Sequence, residues 1–192
     1  MARPPIQELL DHEVTAQLDR ELRALLNQCF TGPEDEVFAY RRYWKEPPTF
    51  RWIMRNAGGD LIAHLAAHDK VITVRAVGAT EAAGVELRIA GIAEVCVHPA
   101  ARGMGHVKEL LYVAHPSLAK RGFDFGLLFG RPGVYRSSGY RVAENRVRYF
   151  DDRREEWKTE TFADPEEGSL MCRPLTETEW PAGVVDLGGP KF

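Results

Sequence analysis

The segment Val85–Val97 constrains this chain more than any other. It is the longest strand candidate, apolar through Ile89, Ile92, Val95 and Val97, and it runs through Pro99 into Arg102-Gly103-Met104-Gly105. A helical pattern over His106–Lys120, carrying Leu110 and Leu111, comes next, and a nearly continuous apolar run, Phe123–Phe129, follows it. Strand, glycine turn, helix and apolar strand in that order build a sheet with a helix on its face, and the apolar run belongs at a buried central position. Gly91 hints at a bend or bulge inside the long strand, and Pro116 should bend the helix or end it early. A glycine turn that opens a helix points several backbone N–H groups at one spot, where the positive end of the helix dipole adds to them. That is a ready site for an anion such as phosphate. Paired glycines also mark any plain strand-to-helix loop, so spacing alone leaves both readings open.

On the N-terminal side, Leu18, Leu22, Leu25 and Leu26 recur at helical spacing over Val14–Phe30, with charged residues between them. Thr31-Gly32-Pro33 stops that helix, and Glu34–Trp44 reads as a second, aromatic-rich one. Phe50–Arg55 and Leu61–Ala67 read as a hairpin about Gly58-Gly59-Asp60, with Lys70–Val77 continuing the meander and Gly78–Gly84 a small-residue loop. Beyond Phe129, a helical turn over Val134–Ser138 leads to a strand from Tyr140 to Tyr149. Asp151–Glu167 reads as charged and irregular, Leu170–Leu175 as a last strand, and Glu179–Phe192 as a tail ordered only by packing. The fold class expected is α/β: one mixed, mostly antiparallel central sheet flanked by helices. At 192 residues it forms a single domain over 1–192, with 176–192 a tail packed on it.

A net charge of −3 without blocks of like charge argues against nucleic acid and against an anionic membrane surface. No apolar run reaches bilayer length, and Met1-Ala2-Arg3-Pro4-Pro5 does not lead into a secretory hydrophobic segment. Cys29, Cys96 and Cys172 are widely spaced and odd in number, which speaks against a disulfide framework or a zinc site. A soluble cytoplasmic protein without a metal is expected. No dinucleotide or Walker-A glycine pattern is present.

Val97-x-Pro99-x-x-Arg102-Gly103-x-Gly105, followed by Leu110-Leu111, resembles the acetyl-CoA-binding motif of the GNAT superfamily of N-acetyltransferases. Tyr135-Arg136-Ser137-Ser138-Gly139-Tyr140 resembles that family's Tyr-x-x-x-Gly-aromatic signature, in the right order beyond an apolar strand. Val107 departs from the pattern, standing where the family usually has Gly or Ala. Shorter likenesses bear on the substrate. Ile62-Ala63-His64, the Arg-Gly loop and Glu179-Trp180-Pro181-Ala182-Gly183 resemble nodulation-factor N-acyltransferases, while Ile62-Ala63-His64-x-Ala66 resembles aminoglycoside 2'-N-acetyltransferases. Both relatives acylate an amine on a sugar.

The resemblance implies acetyl-CoA as cosubstrate, a small-molecule amine as acceptor, and an assembly compatible with a homodimer. Backbone groups of Val95 and Val97 would pair with the pantetheine arm as an added strand does. The N–H groups of Arg102, Gly103, Met104, Gly105, His106 and Val107 would hold the diphosphate, with the Arg102 charge beside them. Attack on a thioester needs an amine stripped of its proton and a thiolate that gains one. Tyr135 is the acid candidate, because a phenol is protonated and uncharged at neutral pH. Its second reading is a helix residue packed on the sheet. Glu94 is the base candidate, since apolar surroundings raise a carboxyl pKa; its second reading is a structural carboxylate at a bulge. Glu86, His64 and His98 are reserves, and Cys96 reads as an inert thiol. Phe38, Tyr40, Tyr43, Trp44, Trp180 and Asp186 are either pocket-lining or structural. A longer-chain N-acyltransferase and a non-catalytic acyl-CoA sensor are the alternatives.

Overall fold

In the computed structural model, residues 5–78, 84–166 and 168–192 are described. Most of the expected Gly78–Gly84 loop, and the first four residues of the N-terminal segment, lie outside them. The strands are β1 (Ile6–Leu10), β2 (Phe50–Arg55), β3 (Leu61–Arg75), β4 (Val85–Val97), β5 (Phe125–Gly130), β6 (Arg141–Val142), β7 (Arg146–Asp151), β8 (Glu156–Thr161), β9 (Ser169–Pro174) and β10 (Val184–Asp186). The helices are α1 (Ala16–Cys29), α2 (His106–Lys120) and the single turn α3 (Pro132–Tyr135). This is an α/β fold on a mixed sheet whose strand order is β6-β9-β5-β4-β3-β10-β7-β8, with β2 and then β1 attached beside β3. Most pairs are antiparallel; β4 with β5 and β10 with β7 are parallel.

The chain forms two compact units: residues up to His68 together with Ile92–Ala114, and Asp69–Gly91 together with His115–Phe192. In the first, Thr15 caps α1 by accepting the Leu18 N–H. Leu18, Leu22, Leu25 and Leu26 are the helix's buried stripe, as their spacing predicts. Leu18 and Leu22 pack with Leu9 and Ile53; Leu25 and Leu26 pack with Val37, Phe38 and Cys96. In the second unit, Ile72, Leu87, Ile89, Phe125, Leu127, Val147, Leu170 and Val185 close one core over β3, β4, β5, β7, β9 and β10.

Five local expectations are corrected. Glu34–Trp44 is not a helix: only a five-residue 3-10 turn, Asp35–Ala39, forms there, and the next residues fold as an irregular strap. Its carbonyls and charged groups find partners in tertiary contacts, among them Arg51 with the Arg42 carbonyl. Pro116 does not stop α2, which continues to Lys120; the carbonyl that loses its N–H partner belongs to Tyr112, on the exposed side. Tyr140–Tyr149 is broken into β6 and β7, because Arg141 and Val142 pair with β9 whereas Arg146 onward pairs with β8. The charged Asp151–Glu167 segment contains β8, whose polar residues suit a strand paired only with β7. The tail is not merely laid on the surface: Val184–Asp186 enters the sheet between β3 and β7.

Two glycines of β4 and β5 serve close approach rather than bending. A Cβ at Gly91 would meet the Phe192 ring at 2.9 Å, and one at Gly126 would stand 2.6 Å from Tyr140 Oη. Tyr140 is fully buried and its hydroxyl lies 3.2 Å from His115 Nε2. Gly126→Ala is expected to destabilise by about 1–3 kcal/mol through overpacking. Its cost should shrink in a Tyr140→Phe background, which removes the clashing oxygen, and urea unfolding of the four proteins measures that coupling.

Candidate active site

Arg51 lies in the middle of β2 with its side chain fully buried. A guanidinium is always charged and only donates, so burial obliges it to find acceptors. Nε donates to Asp11 Oδ1 at 2.6 Å, Nη2 to the Arg42 carbonyl at 3.0 Å, and Nη1 to His64 Nε2 at 2.9 Å. Arg51 offers no lone pair, so Nε2 of His64 is the acceptor and the ring proton sits on Nδ1. That proton is given to the Glu94 carbonyl, 3.0 Å away. His64 is neutral: burial first, and the Arg51 charge second, push its pKa well below the histidine range. It is therefore a strut and not a reserve base, since its one lone pair is taken. Asp11 sits under both Arg51 and Arg42. Burial alone would raise its pKa, but hydrogen bonds and charge from Arg42 and Arg51 hold it below the ordinary carboxylate range.

The strut ends on an unusual backbone. Glu94 has φ +51°, in the left-handed region that side-chain-bearing residues rarely adopt. Its carboxylate points inward: Oε1 accepts the Trp44 N–H at 2.8 Å. Oε2 is buried without a hydrogen-bond partner, 3.5 Å from Arg51 Nη1. Burial pushes the Glu94 carboxyl up to about 7, against the opposing pull of the Arg51 charge and the Trp44 N–H. A carboxyl poised near neutrality with an open lone pair can take a proton.

At the end of β4, the Val97 carbonyl accepts from the Cys29 thiol at 3.3 Å and from Arg102 Nε at 3.2 Å. Both its lone pairs are engaged, so strand-like pairing with an extended ligand would fall to other backbone groups of Val95 and Val97. His98 caps the short Pro99–Ala101 turn through Nδ1, which accepts the Ala100 N–H. Gly103 (φ +78°) and Gly105 (φ +83°) then reverse the chain into α2. Nothing crowds either Cβ position, so it is backbone conformation that calls for glycine there. The first i→i−4 bond of α2 runs from Glu109 N–H to Gly105 O, so the N–H groups of His106, Val107 and Lys108 lie ahead of that ladder. Met104 is exposed beside them, and His106 is buried with Nδ1 3.1 Å from Glu109 Oε2. The geometry is that of an anion cradle, with Val107 half-buried in its first turn.

In the second unit Tyr135 ends α3, half-buried. A Cβ at Gly130 would stand 2.6 Å from the Tyr135 ring, so that glycine admits the ring over β5. The ring meets Tyr140 edge-on, centres 6.0 Å apart, and Gly139 (φ +86°) provides the reversal between them.

Sequence reasoning missed Arg51, Asp11 and Arg42. One signal was available: Arg51 is the lone charge inside the apolar run Phe50–Met54. The other candidates separate plainly. Phe38 is core and Tyr40 exposed. Tyr43 lies 5.3 Å from the Arg41 guanidinium, and Trp44 packs on the cluster that holds Cys96. Trp180 lies edge-on to Phe125 and donates to Asn145, and Asp186 receives Arg75 and Arg148; both are structural. Glu86 is exposed. The Cys96 thiol is buried and pushed well above its ordinary pKa by Cys29 and by burial, as an inert thiol is. Among the described residues no helix is long and apolar enough to cross a membrane, and no group of three or more His, Cys, Asp or Glu could hold a metal ion.

Residues 12–143 match the family described as an acetyltransferase (GNAT) domain. The chain belongs to this GNAT family, and is an acyltransferase. Glu94, the glycine turn and Tyr135 all fall inside the match. Among solved structures it is similar to the GNAT-family N-acetyltransferase YhbS from Escherichia coli in complex with CoA, at 19% identity over 97% of this chain and 91% of that one, with a TM-score of 0.65. Escherichia coli ElaA follows at 13% identity, 88% and 99% coverage and a TM-score of 0.60. A GNAT-family acetyltransferase from Brucella melitensis in complex with acetyl-CoA gives 18%, 94% of each chain and 0.57. At these identities the likeness shows the fold. No curated protein matches the sequence.

A raised carboxyl pKa has a definite sign in stability. With the Glu94 value near 7 in the fold and near 4.5 without it, the protonated form is favoured in the folded state. The fold is thus most stable, as far as this group goes, below about pH 4.5. It loses on the order of 3 kcal/mol as pH rises to about 7. Glu94→Gln should lack that slope, so the stability difference between variant and wild type, from urea unfolding across this range, grows in the variant's favour with pH.

Proposed function

We propose that this chain acts as one N-acetyltransferase domain that moves the acetyl group of acetyl-CoA to a primary amine of a small molecule by direct attack. The observation that carries the reading is Glu94: a buried carboxyl near neutral pKa, with Oε2 in an ion pair with Arg51, on a strained residue of the strand that feeds the glycine turn. Strained backbone persists where surrounding structure holds it in place, and here the His64 strut and the Trp44 N–H do so. Support for the donor comes from the α2 N-terminus and its two left-handed glycines, and from structural neighbours that hold CoA or acetyl-CoA.

In this mechanism the diphosphate rests on the N–H groups of Arg102 to Val107, where the helix dipole favours negative charge. Glu94 removes a proton from the acceptor ammonium, leaving the nitrogen lone pair free to attack the thioester carbon. A C–N bond forms, the C–S bond breaks, and Tyr135 gives its phenolic proton to the departing sulfur. Each proton transfer is worth roughly 10²–10⁴ in rate. Amino sugars and aminoglycoside-like amines fit the short likeness around Ile62-Ala63-His64.

Turnover is read by free-thiol release with an amine panel, and donor binding by the rise in melting temperature with CoA, acetyl-CoA and palmitoyl-CoA. Acetyl-CoA should stabilise the chain. Stabilisation by palmitoyl-CoA instead would make it a longer-chain acyltransferase, and binding without turnover would make it a sensor. Failure with every CoA species overturns the reading. Tyr135→Phe should lower kcat by about 10²-fold or more while leaving the affinity for CoA within about twofold. Glu94→Gln should lower kcat/KM about as much and remove the activity limb that rises through pH about 7.

A further inference from the structure

The second unit contains a feature that the acetyl-transfer scheme leaves unused. Lys191 Nζ lies 4.6 Å from the ring centre of Phe162, 4.7 Å from that of Tyr149 and 5.8 Å from that of Phe129. The rings brace one another: Phe129 meets Phe162 edge-on with centres 5.0 Å apart, and Tyr149 lies 5.9 Å from Phe162. One ammonium ringed by aromatic groups at these distances is held by several ring quadrupoles at once, and such cages select alkylammonium groups. Tyr149 donates its hydroxyl proton to Glu160 Oε2 at 2.8 Å, which fixes the ring and leaves its π-cloud richer in electrons. The cage is built from three separate places in the chain, with Phe129 on β5, Tyr149 on β7 and Phe162 just past β8.

Its position in the unit bears on the chemistry. The parallel ladder of β4 and β5 runs from Ile89 with Phe125 to Gly91 with Leu127. Phe129 is two residues beyond Leu127, so it shares that residue's face of the sheet. The neighbour of Lys191 is drawn to the same spot. Phe192 lies flat over Gly91 and 5.8 Å from the Phe129 ring. The Lys191-Phe192 dipeptide therefore covers the end of the ladder, and it places an alkylammonium there. The backbone leading to it is fixed, since the Gly189 carbonyl accepts the Phe150 N–H and the Asp186 carboxylate accepts the Gly188 N–H.

We propose that the cage of Phe129, Tyr149 and Phe162 is a binding site for an alkylammonium ligand, with Lys191 as its internal occupant. An incoming ligand competes with a tethered side chain, so removal of that side chain should strengthen binding of a free one.

The test uses n-butylammonium, a lysine side-chain analogue, with pentan-1-ol as a neutral match of similar length, titrated into the full chain and followed by NMR. Lys191→Ala should bind n-butylammonium at least tenfold more tightly than wild type does, and should not bind pentan-1-ol. Phe162→Leu in the Lys191→Ala background keeps apolar bulk but removes a π-face, and should lose at least tenfold. Equal binding by wild type and Lys191→Ala, equal binding of the alcohol, or indifference to Phe162→Leu would each overturn the site. Melting curves with and without CoA accompany each variant, so that folding and donor binding are read separately. A variant that binds CoA but no ammonium sinks the cage and spares the acetyltransferase reading. One that binds n-butylammonium but no CoA species does the reverse.

Discussion

The first unit is organised by a single buried cation. Arg51 cannot lose its charge, and its side chain is wholly out of water. Three of its neighbours are consequently fixed in chemical state as well as in place. Asp11 must be an anion, His64 must be neutral with its proton on Nδ1, and the strap carrying Arg42 must turn its carbonyl inward. From His64 the constraint passes to the Glu94 carbonyl and holds that residue in a left-handed conformation. Glu94 then balances two opposed effects. Burial raises its pKa, and the same Arg51 charge, 3.5 Å from Oε2, keeps the rise in check. One guanidinium thus opposes the burial that raises the proton affinity of the candidate base.

The glycine turn works by a different principle. Gly103 and Gly105 have open space where a Cβ would go, and what they contribute is a chain reversal that leaves α2's leading N–H groups on one side. Gly91, Gly126 and Gly130 make the opposite use of the residue. Each admits an aromatic ring or hydroxyl against a strand: Phe192, Tyr140 and Tyr135 respectively. Aromatic packing of this kind also explains how Lys191, a residue with a strongly hydrated head group, rests half-buried in the second unit.

Long periodic elements were legible in the chain. α1, β4, α2 and β5 follow from spacing and apolar runs, and the glycine turn and the Tyr135–Tyr140 signature are local motifs that survive without tertiary context. Three of the misread pieces depend on pairing or contacts that local pattern does not show. β8 is polar and exists because β7 lies alongside it, while β10 exists because β3 and β7 leave a place for it. The strap after Ala39 has helical composition but is held by Arg51 and Glu94.

What the sequence by itself determined is the order of elements along the chain: an apolar strand, a glycine turn at a helix start, a buried strand and a tyrosine turn. These are encoded by neighbours, because dihedral preference and periodicity act over a few residues. Only the tertiary structure decided which ionisable groups are candidates for catalysis and which are struts. Glu94 and His64 look alike as candidates until Arg51 occupies the histidine's lone pair at 2.9 Å and stands farther, at 3.5 Å, from the carboxylate. A side chain's protonation state depends on burial and on charges brought from far along the chain, and those exist only once it has folded.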